Sequence, residues 1–268
     1  MNTESSATTD PQALRRANQE RVAIVTGAGQ GTGGLGRAIA ARLAEDGYRL
    51  MIADIDPRIA DTAEHIRAAT TAPVISAAGD LSNELFVQSM VDRTLAEFGR
   101  IDVLVNNAGG GIIKPFLEHD ARSLTETLAR NLWTTLWCTH KVLPAMVARN
   151  HGRIINIGAD SLRTGIPDHA GYNAAKGGVI GLMVGLAREF AKYDITINTV
   201  SPCVINTPRQ MERRISDPDY ALAFERVVPK GRGAEIQEVV DLCSFLALSR
   251  TGFITGQDLS VNGGSAMP

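Results

Sequence analysis

The chain has 268 residues, 44% of them hydrophobic and 21% charged, a balance that excludes a disordered, collagen-like or disulfide-stapled chain. Its 27 basic residues against 29 acidic ones leave a net charge of −2, so no basic excess points to nucleic acid or to an anionic membrane surface. It has no apolar run of about 18 residues to cross a membrane, and Cys138, Cys203 and Cys243 lie too far apart for a metal site or a disulfide framework and read as reduced thiols of a cytoplasmic protein.

Met1–Glu20 is polar and lacks the apolar stretch of a secretory signal. It reads as a disordered tail, with a short helix from Asp10 on as the ordered alternative. From Arg21 onward, short runs rich in Val and Ile recur at Val22–Thr26, Leu50–Ala53, Val74–Ser76, Val103–Val105, Arg153–Ile157, Ile195–Val200 and Asp258–Val261. Unbroken apolar runs of this length are strands buried on both faces. Helical patterns fill the gaps, at Arg37–Asp46, Pro57–Thr70, Asn83–Phe98, Ser123–Arg149, Tyr172–Lys192 and Glu235–Leu248. Strand–helix alternation over residues 21–268 predicts one α/β domain, a doubly wound parallel sheet of seven strands with helices on both faces. Pro202–Pro229 fits least well. It lacks a strand and holds Pro202, Pro208, Pro218 and Pro229, so residues 203–229 read as a flap beside a substrate site.

The first strand runs through Thr26-Gly27-Ala28-Gly29-Gln30-Gly31-Thr32-Gly33-Gly34-Leu35-Gly36 into a helix. A glycine turn there lets the backbone approach a pyrophosphate, and the helix N-terminus then offers N–H donors and the positive end of its dipole. Asp54, at the end of the second strand, is placed to accept hydrogen bonds from ribose hydroxyls and to repel a 2′-phosphate, which favours NAD over NADP. The competing role, an N-cap for the helix at Pro57, falls more naturally to Asp56. Farther on, Tyr172 and Lys176 stand four apart and share a helix face. A neighbouring cation favours phenolate, so this spacing predicts a tyrosine with a lowered pKa that exchanges a proton with an alcohol or carbonyl oxygen. Taken alone, such a pair is also what a solvated helix face carries.

In order along residues 20–263, these motifs resemble the short-chain dehydrogenase/reductase family. Thr26-Gly27 and the glycines after it resemble the family's cofactor turn, and Asn106-Asn107-Ala108-Gly109 its NNAG motif. Asn131 matches the helix asparagine, Tyr172 and Lys176 the YxxxK pair, and Ser201–Thr207 the stretch flanking the nicotinamide. Thr255-Gly256-Gln257 and Val261–Gly264 resemble its closing segments. The resemblance implies a Rossmann-type fold, an NAD cofactor that carries hydride, a small-molecule secondary alcohol or ketone as substrate, and a homotetramer. It implies Tyr172 as acid/base, Lys176 as the group that lowers its pKa and binds the nicotinamide ribose, and Asn131 as holder of a relay water. Cofactor contacts are implied for Gly27, Gln30, Gly34 and Leu35, for Asp54, Asp80 and Leu81, and for Asn107, Ala108 and Gly109. Tyr172, Lys176, Pro202, Val204, Ile205 and Thr207 complete that side. The substrate pocket is implied at Gly110, Ile112, Ala159, Ser161, Leu162, His169, Cys203 and Met211.

Three departures stand out. Ala159 occupies the position, 13 residues before Tyr172, where the family has a serine that donates to the substrate oxygen. If the backbone stays extended, Ser161 points the same way and is the expected replacement. The glycine turn carries about three extra residues within Gly29–Gly33. Cys203 stands where glycine is usual, placing a side chain beside the expected nicotinamide. The apolar pocket suits a neutral cyclic or aromatic secondary alcohol, with Arg209, Arg213 and Arg214 as the argument for an anion. Two rivals remain open, a 3-oxoacyl-thioester or other carbonyl reductase, and a catalytically weak NAD-binding sensor or scaffold.

Overall fold

Seven runs of Val, Ile, Leu and Ala pair into one all-parallel sheet in the order β3-β2-β1-β4-β5-β6-β7. The strands are β1 (Val22–Thr26), β2 (Arg49–Asp54), β3 (Val74–Ala78), β4 (Val103–Asn106), β5 (Gly152–Ile157), β6 (Ile195–Pro202) and β7 (Asp258–Val261). The computed structural model describes residues 11–29, 34–217, 219 and 226–267. Gln30, the expected tail over residues 1–10, and positions 218 and 220–225 of the flap lie outside the described residues.

The helices are α1 (Pro11–Asn18), α2 (Leu35–Glu45), α3 (Ile59–Thr70), α4 (Glu84–Phe98), α5 (Ala121–Leu128), α6 (Thr134–Ala148), α7 (Ser161–Thr164), α8 (Ala170–Glu189), α9 (Pro208–Ser216) and α10 (Ile236–Ala247). Alternate residues of each central strand face opposite sides. Ala23, Val25, Leu50 and Ile52 pack against Leu35, Ile39 and Leu43 of α2, Ile59 of α3 and Val240 and Leu246 of α10. Ile24, Met51 and Leu104 pack against Val87 and Met90 of α4, Val142 and Met146 of α6 and Met183 of α8. Burial on both faces is why the strands read as unbroken apolar runs.

The short helix offered from Asp10 on forms as α1, so residues 11–18 are ordered: Arg15 Nε donates to the Glu45 carbonyl (3.0 Å) and buried Asn18 Nδ2 to the Asp46 carbonyl (3.0 Å), both at the end of α2. The helix expected over Ser123–Arg149 starts at Ala121, capped by Asp120, and is interrupted by a π-helical turn over Ala129–Trp133. The flap carries α9, whose first turn is capped by Thr207 Oγ1 accepting from the Gln210 N–H (3.3 Å).

The sheet order reverses where β1 lies between β2 and β4. In such sheets the strand ends diverge at this point and leave a crevice at their C-terminal edge. The glycine turn after β1, the Asn-Asn-Ala-Gly segment after β4 and Ala159 after β5 all emerge on that edge. At the opposite edge, fully buried Arg153 is satisfied by the Leu248, Ser249 and Asp194 carbonyls and by the Asp194 carboxylate (2.9 Å).

Candidate active site

The turn after β1 is locked to the segment after β4. Gly27 has φ +67°, and a Cβ there would stand 2.7 Å from Ala108 Cα, so only glycine fits. Thr26 Oγ1 accepts from the N–H groups of Asn107 and Ala108 (3.0 Å each), and Asn107 Nδ2 donates to the carbonyls of Thr26 (3.0 Å) and Gly27 (2.9 Å). The helix that follows opens at Gly34, which has φ +89° and no side chain to cap it. Its first N–H groups are therefore suited to an anionic oxygen from outside the helix.

Asp54 is buried at the mouth of this crevice. Its Oδ2 accepts from the Gly29 N–H (2.8 Å) and its Oδ1 from the Asp56 N–H (2.9 Å). Each carboxylate oxygen retains acceptor capacity for a diol. Neither aspartate fills the expected N-cap role: α3 opens at Arg58 with no side-chain cap, and the Asp56 carboxylate accepts from the Arg58 N–H (3.0 Å) just ahead of it and is held below the usual carboxylate range by the Arg58 guanidinium. Asp80 is exposed and accepts from the backbone and hydroxyl of Ser82 (2.8 Å each). Leu81 puts its side chain into the core.

The strap Ile157–Ser161 runs alongside α8 and is pinned on either side of Tyr172. Lys176 Nζ donates to the Ile157 carbonyl (2.7 Å) at one end, and Ser161 Oγ donates to Asn173 Oδ1 (2.6 Å) at the other. Asn173 Nδ2 returns a bond to the Ser161 carbonyl (3.1 Å). Ser161 therefore does not point with Ala159 as expected. The backbone at Asp160 is helical (φ −73°, ψ −11°), which breaks the two-residue alternation of an extended chain and turns the hydroxyl toward Asn173. Sequence reasoning missed Asn173, although its place directly after Tyr172 was a signal.

The expected lowering of the Tyr172 pKa is also corrected. Burial pushes the phenol up to about 12 and the Lys176 ammonium down to about 8. Lys176 Nζ lies over the tyrosine ring, 5.7 Å from its centre, rather than against the hydroxyl, so desolvation prevails. This has a consequence for stability. A lysine whose folded pKa of about 8 lies below its ordinary 10.5 costs free energy below pH 8, and the cost is relieved as pH rises from 8 to 10.5. Wild type is expected to gain about 3 kcal/mol over that range relative to Lys176→Met. Urea unfolding at a series of pH values checks this, and parallel curves for the two proteins contradict it.

Asn131 sits in the π-helical turn, fully buried. Its Oδ1 accepts from the Gly110 N–H (3.2 Å), and its Nδ2 donates to the carbonyls of Gly110 (3.2 Å) and Thr127 (2.8 Å). The side chain clamps the loop that floors the site. At Gly111 a Cβ would fall 2.6 Å from the Tyr172 ring, so glycine lets this loop lie flat on the tyrosine.

Other predicted pocket residues divide. His169 meets Tyr172 edge-on (centroids 6.2 Å apart), with Nδ1 bonded to the Pro167 carbonyl (2.6 Å). Leu162 packs toward α8 at Gly177, Ile112 is tied by its N–H to Thr127 Oγ1 (3.4 Å), and Met211 is partly exposed on α9. Val204 and Ile205 are fastened to Ala234, through a Val204 carbonyl bond (2.7 Å) and a parallel bridge, while the Thr207 N–H closes on the Ile205 carbonyl (2.8 Å). The Pro202 carbonyl accepts from the Asp160 N–H (3.0 Å). The Cys203 thiol bonds to Ser265 and borders a cavity with Val228, Lys230 and Ser260, and burial raises its pKa. It faces the C-terminal turn rather than Tyr172. Asp160 also turns that way, fully buried and accepting from Ser265 Oγ (2.5 Å) and Asn262 Nδ2 (3.2 Å). No motif in the sequence announced this anchor.

These residues fit a nicotinamide dinucleotide. Lys176 is a buried ammonium with a single hydrogen bond among the described residues, leaving donors for a ribose hydroxyl. The Tyr172 hydroxyl has no hydrogen-bond partner among the described residues. An uncapped helix start and a buried carboxylate with spare lone pairs line the other half of the crevice.

The chain matches a family model described as enoyl-(acyl carrier protein) reductase over residues 29–266. It is 48% identical over 248 residues to the 2,3-dihydroxy-2,3-dihydro-p-cumate dehydrogenase of Pseudomonas putida, covering 92% of this chain and 95% of that one. It is 35% identical over 257 residues to the 1,6-dihydroxycyclohexa-2,4-diene-1-carboxylate dehydrogenase of Acinetobacter baylyi, covering 92% and 96%. Among solved structures, levodione reductase superposes with a TM-score of 0.85 at 30% identity, over 94% of this chain and 100% of that one.

Proposed function

The chain belongs to the short-chain dehydrogenase/reductase family, oxidoreductases that work with a nicotinamide cofactor, and we propose that this member oxidises a vicinal diol on a cyclohexadiene ring with NAD as acceptor. The observation that carries this reading is the likeness, along nearly the whole chain, to two dehydrogenases named for dihydroxylated cyclohexadiene carboxylates. A cyclic secondary alcohol agrees with the pocket read from the sequence. The neutral substrate favoured there gives way to a ring carboxylate, for which α9 brings Arg213 and Arg214 to the flap.

When bound, the cofactor accepts the hydride lost from the carbinol carbon. The protein handles the proton and the positions. Tyr172 takes the hydroxyl proton, and Lys176 holds the nicotinamide ribose while its ammonium favours phenolate. Asn131 holds the Gly110 loop, with one Oδ1 lone pair left to accept from a relay water. Ser161 orients Asn173 and the helix turn that carries Tyr172. Asp54 binds the adenosine ribose and selects NAD, with Asp80 and the Leu81 main chain beside the adenine.

The three unpaired cysteines suit a reducing, cytoplasmic setting. A homotetramer is supported by the outer face of α6 and α8 and the turn before them. There Trp133 is 47% exposed and stacks on half-buried Trp137 (5.7 Å), Val184 is 55% exposed, and Gly181 and Gly185 have nothing within 4 Å of a Cβ position. Two helices approach closely where such small residues meet.

The test incubates purified protein with NAD⁺ and 2,3-dihydroxy-2,3-dihydro-p-cumate. Reduction of NAD⁺ with formation of the corresponding catechol is expected. No reaction with that diol, together with NADPH-dependent reduction of a 3-oxoacyl thioester, contradicts the reading and favours the reductase alternative.

A further inference from the structure

The strap beside Tyr172 offers the reacting oxygen no second donor. Position 159 carries only a methyl group. The Asp160 carboxylate is buried beneath the C-terminal turn on Ser265 and Asn262, and the Ser161 hydroxyl is spent on Asn173. The Asn131 amide is spent on Gly110 and Thr127. His169 is committed through Nδ1 to the Pro167 carbonyl (2.6 Å). The free donors of Lys176 face Gly109, where a Cβ would stand 3.5 Å from Nζ, on the cofactor side of the site. A developing alkoxide held by a single hydrogen bond in a buried site is poorly stabilised.

We propose that Ala159 determines specificity for vicinal diols: the substrate's own neighbouring hydroxyl fills the space beside the Ala159 methyl and donates the hydrogen bond that no side chain of the described strap supplies. This rests on the diol reading of the preceding subsection and sharpens it. The neighbouring hydroxyl keeps its proton throughout, so the proton passed to Tyr172 still comes from the carbinol that is oxidised. A mono-alcohol, or a diol whose second oxygen is methylated, reacts with one donor fewer.

The experiment compares 2,3-dihydroxy-2,3-dihydro-p-cumate with its monomethyl ether, in wild type and Ala159→Ser, by NAD⁺ reduction. Loss of one donor to a developing oxyanion costs about 10²–10³-fold, so wild type is expected to prefer the diol by about 10²-fold in kcat/KM. Ala159→Ser is expected to narrow that preference about tenfold or more, chiefly by raising turnover of the ether. A second readout needs no turnover. With NAD⁺ present and Tyr172→Phe as a background that suppresses oxidation, calorimetric binding of 2-hydroxycyclohexanone is expected to be tighter than that of 2-methoxycyclohexanone, and the difference to shrink when Ala159→Ser is added. Turnover of the diol with a preference unchanged by the substitution overturns the inference and leaves the diol reading standing. Absence of diol turnover in both proteins overturns the two together.

Discussion

Tyr172→Phe is expected to lower kcat for alcohol oxidation by about 10³-fold or more while leaving NAD binding within about threefold of wild type. The hydroxyl has no hydrogen-bond partner among the described residues, so its removal breaks no internal bond. The ring remains to pack on Gly111 and His169. A purely structural tyrosine would instead lose stability and cofactor affinity together. The pH profile separates the two cases further. Burial keeps the phenol protonated at neutral pH in the free protein, pushed up to about 12. A proton acceptor must first lose its own proton, so the wild-type oxidation rate rises with pH on the acid side of that group. Residual activity of the phenylalanine variant should lack this rise. Steady-state kinetics across pH, with calorimetric NAD titrations, make the check, and a variant retaining more than a tenth of wild-type kcat contradicts it.

Asp54→Asn is expected to reduce kcat/KM for NAD⁺ by roughly 10–100-fold and to raise it for NADP⁺, because hydrogen bonds to a charged acceptor contribute about 1.5–3 kcal/mol and each 1.4 kcal/mol is tenfold. The substitution keeps an oxygen for the Gly29 N–H, now 2.8 Å from Oδ2, so the glycine turn retains its tie to β2, and gives up the Oδ1 acceptor of the Asp56 N–H (2.9 Å). With that acceptor goes the negative charge, which strengthens bonds from ribose hydroxyls and repels a 2′-phosphate. Competition between the two cofactors at fixed substrate reads the change directly. An unaltered NAD⁺ to NADP⁺ ratio means that Asp54 serves the turn alone.

The strands were legible because a parallel sheet covered on both faces buries its central strands, which leaves runs such as Val22–Thr26 with no polar interruption. The crevice was legible because its two walls are fixed by short motifs, Thr26-Gly27 and Asn106–Gly109, whose side chains bond to each other. Direction and depth were not. The helical backbone at Asp160 redirects Ser161, and period-two reasoning has no means of seeing a single helical residue after a strand. Four-residue spacing brought Lys176 beside Tyr172 but said nothing of burial, which sets the sign of both pKa shifts. Asn18 and Asp160 bond to partners 28 and 105 positions away, so a polar tail residue and an acidic loop residue became anchors only once the chain had folded.

The central claim is that the site built around Tyr172 and Lys176 takes hydride from a ring carbinol and delivers it to NAD⁺. The most direct measurement uses a cyclohexadiene diol carrying deuterium on the carbinol carbons and follows the label by mass spectrometry of the reduced cofactor. The account predicts one deuterium in NADH for each catechol formed and no transfer in Tyr172→Phe. Reduced cofactor free of deuterium, or catechol formed without reduction of NAD⁺, would contradict it.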